Sequence, residues 1–403
     1  MLTLATLFFV ISPYTSILPL LYAAYKAVVN NCFIPKSPFN TGMFLLFIWS
    51  LIVGIINESP LSTAAALLIL IYFLMGIYLH NYFTETEKIE SLMYYILIFS
   101  GVSAVIAIIE KCTAAFYKYV GWGQIFGIPK QFITYDGYRV YSTFGNPNIA
   151  GTWFAAVILI SLYFFGKHKG FKKALFFWAV CFFTCVFILT GSRGAVLGLL
   201  PALIVYGLMK KDKWTYNLTF VIFIIIAGVM FVTPALMPQI HSANSPMIHA
   251  VNNSISSREA IWQGCLNMFK YKPLTGYGLL GIYSASKNIF HQYHRTLHGH
   301  NIIITLAATL GIVGLGIYLF IKKYIAEGLY FLSREKCDLA PLLAGIQVII
   351  LGHGLVDFTI MVPQIGMLYL GSLSIINSLV LQYSNYNEGI YIFSPWFTTK
   401  RTA

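Results

Sequence analysis

Charge is what this sequence has least of. Only 10% of its 403 residues are Asp, Glu, Lys or Arg, and 58% are hydrophobic. Soluble domains carry about 25% charged residues, so a soluble domain is excluded and a polytopic membrane protein is expected. Acidic residues are scarcer still, 13 against 26 Lys and Arg, for a net charge of +13. In a membrane protein such an excess gathers in cytoplasmic loops and does not imply nucleic acid. No basic segment precedes the apolar start and no small-residue cleavage site follows it, so no cleavable signal peptide is expected. The six cysteines, Cys32, Cys112, Cys181, Cys185, Cys265 and Cys337, are scattered without zinc-site spacing, which gives neither a disulfide framework nor a metal site. No internal repeat suggests a transporter built of two related halves.

Long apolar runs are what the chain has in quantity. A transmembrane helix needs about 20 apolar residues. Runs read at about 42–57, 62–80, 91–109, 147–166, 172–190, 194–209, 216–235, 301–321, 339–356 and 363–382. The stretch 2–29 is broken by Pro13 and Pro19 and is either one kinked helix or a hairpin, for eleven or twelve spans. Two prolines this close suit a turn, which favours twelve. The fold class is therefore all-α, a single transmembrane domain over 1–403. Lys167, Lys169, Lys172 and Lys173, then Lys210, Lys211 and Lys213, then Lys322, Lys323, Arg334 and Lys336, then Lys400 and Arg401, fall on one side by span counting. That side is expected to be cytoplasmic. The polar segments 110–146 and 236–299 and the turn at 190–193 are then external.

Chemistry is expected at that external edge. His298 and His300 sit where polar sequence ends and the run from Asn301 begins. Imidazole titrates near about 6.5 and is available as a base at ordinary pH. Four of the nine histidines lie in 291–300, so a zinc site is the sharp alternative. That segment holds no Asp, Glu or Cys and no HExxH spacing, and no metal is assigned.

Arg193, in Thr190-Gly-Ser-Arg-Gly194, is an external cation against the positive-inside trend. It either snorkels to headgroups or binds an anion with Ser192 in a shaped turn. Ser256 or Ser257 is expected to cap a surface helix running to about Phe269, with Ile261, Trp262, Leu266 and Phe269 as its apolar face. Arg258 on it pairs with Glu259, with lipid phosphate or with substrate. Tyr277, in a Pro- and Gly-rich turn, can stack on a sugar. Arg139 leads into Asn146-Pro-Asn148, a turn and helix start; capping is the expected role of Asn148. His353 and Asp357 are one turn apart near an external helix end. Asp357 either orients a histidine or balances an arginine.

These pieces in this order resemble the O-antigen ligase/polymerase family of bacterial membrane glycosyltransferases. The most specific pattern is His300-Asn301, nine residues, then Gly311-Ile-Val-Gly314. Phe144-Gly-Asn-Pro-Asn148, Thr190-Gly-Ser-Arg-Gly194, Ser257-Arg-Glu-Ala-Ile-Trp262 and Pro273-Leu-Thr-Gly-Tyr-Gly278 also match family motifs. The resemblance spans roughly 140–375; the first 130 residues match only in hydropathy. It implies a GT-C-type helical fold in the bacterial inner membrane, with the site on the periplasmic face. It implies a glycan donor on undecaprenyl diphosphate, a hydroxyl acceptor and no metal or other cofactor. His300 would be the general base, and Arg193 and Arg258 would hold the diphosphate. Arg139, Asn146, Asn148, Ser192, Tyr277, His298, Asn301 and Asp357 would contact substrate.

Within the family a ligase delivers glycan to lipid A-core, a polymerase to another lipid-linked repeat, and relatives to protein hydroxyls. Some polymerases carry Arg-x10-Gly in external loops. None of Arg139, Arg193, Arg258 or Arg295 has Gly at that spacing, which favours a ligase. Protein-glycosylating members often carry a large C-terminal extension, and the short tail here argues against them. A transporter or flippase of lipid-linked glycans is the alternative of another class. It should show charge near mid-membrane, whereas the charges here are expected at helix ends.

Overall fold

The computed structural model describes residues 2–113, 125–126, 139–210, 212–229, 246–289, 296–386 and 388–392. Most of the polar segment 110–146, part of 236–299 and His291, His294 and Arg295 lie outside the described residues.

The chain is all-α. Among the described residues, seven helices are long and apolar enough to cross a membrane and five apolar helices are shorter. In chain order the elements are α1 (Leu2–Ile11), α2 (Ile17–Val29), β1 (Phe33–Pro35), α3 (Pro38–Ile56), α4 (Pro60–Tyr82), α5 (Thr86–Thr113), α6 (Pro147–Lys167), α7 (Gly170–Leu189) and α8 (Arg193–Met209). There follow α9 (Lys213–Ala227), α10 (Pro246–Tyr271), α11 (Gly281–Ile289), α12 (Ile302–Arg334), α13 (Ala340–Gly354), a 3-10 turn (Thr359–Met361), α14 (Pro363–Tyr383) and β2 (Gly389–Tyr391). The two short strands pair antiparallel.

The first apolar stretch folds back on itself. Thr15 Oγ1 donates to Phe8 O and Ser16 Oγ to Pro13 O, closing a turn between α1 and α2. Both helices then line one apolar cavity with α4, α5 and α14. The helices span about 15 and 20 Å at 1.5 Å per residue, each less than the roughly 30 Å hydrocarbon core.

Helix α6 is the axis of the bundle. Every side chain from Ile149 to Phe165 is buried, as expected of a helix that is apolar all round. Trp153 is wholly buried and donates Nε1–H to Ser100 Oγ at 2.9 Å. Against this axis α8 and α13 approach closely. A Cβ at Gly198 would collide with Ile349 O, and one at Gly352 would meet Gly198 Cα at 2.8 Å. Small residues let membrane helices touch through their backbones. Here the contact draws the ends of α13 and α8 together.

Two expectations are corrected. The run 301–321 is not one uninterrupted helix: α12 breaks at Gly311, where φ is +66°. The freed backbone groups are met from outside the helix. Ala308 O and Thr309 O accept from the N–H groups of Tyr277 and Gly278, Leu310 O accepts from Trp49 Nε1, and Ile312 N–H donates to Pro273 O. Irregular backbone at membrane depth is tolerated when protein satisfies it in this way. A Cβ at Gly276 or Gly311 would strike the facing backbone, so the glycines of two motifs serve one clasp.

The second correction concerns Lys322 and Lys323, which do not mark a loop, because α12 continues to Arg334. Lys322 lies about 18 Å from that end at 1.5 Å per residue. Its Nζ donates to Gln347 Oε1 at 2.7 Å and sits 5.1 Å from the Tyr369 ring centre. Not all charge is therefore at helix ends. The basic loops after α6 and α8 share one end of the bundle, tied there by Lys167 to Glu90 and by Lys210 to Asp338 at 3.7 Å; Lys400 and Arg401 lie outside the described residues. The opposite end carries the site.

Candidate active site

Three helices start at one polar network. Asn146 is the N-cap of α6; its side chain accepts the N–H of Asn148 at 2.7 Å. The cap is thus Asn146, and Asn148, expected to cap, has its side chain free for other work. Asn148 Oδ1 accepts from Arg139 Nη2 at 2.7 Å and Ser192 Oγ at 3.2 Å, and its Nδ2 donates to Asp357 Oδ2 at 2.8 Å. Only this amide orientation sets oxygen toward the arginine and N–H toward the carboxylate, which fixes the assignment. Ser192 caps α8 through Ala195 N–H. Arg139 Nε donates to Thr190 O at 2.9 Å, so Arg139 joins the start of α6 to the turn before α8.

Asp357 follows α13. Its Oδ1 lies 2.9 Å from His300 Nδ1 and accepts the N–H of Phe358 at 2.8 Å. Burial alone would push this carboxyl up. The His300 hydrogen bond and the field of His300, His353 and His298 outweigh burial and hold it well below the usual carboxylate range. An ionised Asp357 fixes the proton of neutral His300 on Nδ1 and leaves the Nε2 lone pair free. Asp357 thus orients a histidine, and that histidine is His300. His353 is turned elsewhere: its Nδ1 meets Thr152 Oγ1 at 2.7 Å, and its Nε2 lies where a Gly194 Cβ would be.

His298 and His300 are neighbours, their ring centres 4.3 Å apart in an edge-to-face pair. The cause is His300's left-handed backbone, φ +48°, which folds the loop so that His300 N–H donates to His298 Nδ1 at 3.2 Å. Burial and the adjacent His300 push His298 down to about 4. Asn301 caps α12 through Ile304 N–H and donates Nδ2 to Leu355 O at 2.8 Å. Both its polar ends hold structure.

The arginines flank this centre. Arg193 is the first residue of α8, exposed, and makes no hydrogen bond or ion pair with the described residues. Arg258 is half-buried on α10 and, with Arg139, acts electrostatically on His353. Among the described residues it makes no pair with Glu259. Helix α10 begins at Pro246, so Ser256 and Ser257 are interior residues and not caps. Its buried face also differs from expectation. Ile261, Gly264, Cys265 and Met268 are buried against α12, while Leu266 is exposed. Tyr277 packs on this cluster beneath Lys272 Nζ, 4.9 Å from its ring centre, and makes no described contact with the His300–Asp357 pair.

The start of a helix carries about half a positive charge, and unpaired N–H groups there favour anions. The starts of α6, α8 and α12 meet here, beside Arg193, Arg258 and Arg139. The net field suits an anion. His298, His300 and Asp357 offer possible ligand atoms within 4.8 Å of one another, in surroundings whose arginines and helix starts disfavour a cation. The reading developed below routes no step through a metal.

Residues 175–319 match the family model described as O-antigen ligase. The chain is similar to that family over 145 of its 403 residues. No curated protein matches it. With seven described helices long and apolar enough to cross a membrane, the chain is a multi-pass membrane protein. The matched segment holds Arg193, Arg258, His298, His300, Asn301 and Gly311. Arg139, Asn148 and Asp357 lie outside it and complete the network from the flanks. Sequence reasoning named these residues but not the Asn148–Asp357 bond, which joins positions 209 residues apart.

Proposed function

We propose that this protein moves a glycan from undecaprenyl diphosphate to an acceptor hydroxyl, in the manner of an O-antigen ligase with lipid A-core as acceptor. The observation that carries the reading is the Asp357–His300 pair, 2.9 Å apart, at a site framed by three helix starts and by Arg193 and Arg258. His300 Nε2 takes the proton of the acceptor hydroxyl. The acceptor oxygen bonds to the anomeric carbon as the bond from that carbon to the diphosphate oxygen breaks. The electron pair leaves with the lipid diphosphate, whose growing charge is met by Arg193, Arg258 and the helix starts. Arg139 and Asn148 act through Asp357 and do not grip substrate.

The basic loops at the opposite end support a site on the periplasmic or extracellular face of the inner membrane by the positive-inside rule. Labelling of single cysteines at Ser284 and Lys169 tests this. Ser284 should react from outside and Lys169 from inside, and the reverse would overturn the orientation.

Ligase, polymerase and protein-glycosylating readings share this chemistry and differ in acceptor. The interior Lys322 meets one expectation of the transporter reading; a carboxylate-oriented imidazole with a free lone pair at a helix mouth suits attack by a hydroxyl better. Reconstituted protein should transfer glycan from undecaprenyl diphosphate to purified lipid A-core. Transfer only onto a second lipid-linked glycan would make it a polymerase, and movement of donor across the bilayer without transfer would make it a flippase.

A further inference from the structure

The proposed reaction uses His300 and leaves its neighbour unexplained. The loop around His298 commits several of its polar atoms. Its Nδ1 accepts the His300 N–H, its carbonyl accepts from Thr296 Oγ1 at 2.7 Å, and Gly299 N–H donates to Thr305 Oγ1 at 3.0 Å. The ring rests against Phe358, centres 5.6 Å apart. Because Nδ1 is an acceptor, the proton of neutral His298 sits on Nε2. That N–H has no partner among the described residues. Burial keeps the ring uncharged well below neutral pH, so it remains a single, fixed, neutral donor.

Its place relative to the base decides what it can meet. In a direct displacement the acceptor oxygen enters opposite the leaving diphosphate. The base therefore stands on the acceptor side and the arginines on the donor side. His298 is a ring away from the base, 4.3 Å between centres. Vicinal oxygens of a sugar lie about one hydrogen-bond length apart. One can face the His300 lone pair while its neighbour faces the His298 N–H.

Resting on the reading of His300 as base, we infer that His298 Nε2–H binds the acceptor oxygen next to the attacking hydroxyl and thereby selects a sugar diol as acceptor. A lone serine or threonine hydroxyl offers no second oxygen for this contact. The pair works as one base and one donor. Asp357 fixes the first and the loop backbone fixes the second.

The test uses full-length protein in proteoliposomes with an undecaprenyl-diphosphate glycan as donor. Purified lipid A-core serves as acceptor, with a second lipid-linked glycan as acceptor in a parallel arm. His298→Asn keeps an acceptor for the His300 N–H and removes the Nε2 donor. His298→Gln supplies an amide N–H at the Nε2 position. The Asn variant should raise the acceptor KM about tenfold, the size of one lost hydrogen bond, and leave the donor KM unchanged. The Gln variant should recover most of the acceptor affinity. A donor KM that moves instead overturns the assignment. So does an acceptor KM that stays put in His298→Asn, or a kcat loss equal in both variants. An active His300→Ala enzyme would mark failure of the underlying base reading. An inactive His300→Ala enzyme with an unmoved acceptor KM in His298→Asn overturns the His298 role alone.

Discussion

Replacing Asp357 by Asn keeps the shape of the site and reverses its wiring. Asp357 accepts from three groups: His300 and Phe358 at Oδ1 and Asn148 at Oδ2. An amide has one accepting end. If its N–H2 faces Asn148, donor meets donor. Turning Asn148 over would then aim N–H2 at Arg139 and Ser192. If the N–H2 faces His300 instead, it opposes the Phe358 N–H and forces the imidazole proton onto Nε2, where the lone pair is needed. Each buried donor left unpaired costs about 1–3 kcal/mol, which should lower the melting temperature in detergent. Loss of the correct tautomer should cut transfer by about 10²–10⁴-fold, the scale seen when an orienting aspartate is amidated in serine proteases. The double variant Asn148→Asp with Asp357→Asn pairs every donor again but moves the carboxylate away from His300. The amide oxygen at 357 still accepts the Nδ1 proton of His300, so this variant should recover thermal stability and the activity lost with the tautomer, short of what the displaced charge contributes. Glycan transfer in proteoliposomes at matched expression reads both effects. An Asp357→Asn enzyme with more than about a tenth of wild-type activity would refute the orienting role, since general-base loss should exceed that.

Arg193→Lys and Arg258→Lys should each lose about 100-fold in transfer, because a point charge does not replace a bidentate fork and one such contact is worth about 3 kcal/mol; near-normal rates in both would return these residues to headgroup contacts. Gly311→Ala should cripple the folded yield, since its φ is +66° and the new Cβ would strike Leu274 O, whereas Gly316→Ala meets nothing within 4 Å and should be neutral. Equal yields would refute the clasp. His298 is pushed down to about 4 from the ordinary 6.5, so the folded state binds fewer protons than the unfolded one between those values. Its contribution to stability is whole above about 6.5 and is lost as pH falls towards 4. Melting temperatures from pH 7 to 4.5 should drop less steeply in His298→Asn than in the parent, and identical slopes would refute this.

The membrane class and most helices were legible because hydropathy alone sets them. What stayed hidden was whatever depends on a distant partner. Gly311 lies in an unbroken apolar run, and only Trp49 and the backbone of 273–278 make a break there affordable. The His300–Asp357 pairing was half legible. His300 and Asp357 each stood out at a helix end, but 57 residues separate them and no local rule joins them. Asn148 looked like a cap because Asn near a helix start usually is one. The side chain of Asn146 took that role and freed it. On α10 the two apolar stripes share Ile261. The small Gly264 and Cys265 allow closer packing on α12 than Leu266 and Phe269 would, and that contact chose the buried face.

The account stands most directly on His300. Proteoliposomes carrying His300→Ala, matched to the parent for yield and for binding of the undecaprenyl-diphosphate glycan, should transfer that glycan about 10²–10⁴-fold more slowly. Donor binding should be intact, because the arginines and helix starts proposed to hold the diphosphate are unchanged. Transfer at the parental rate by His300→Ala would contradict the account.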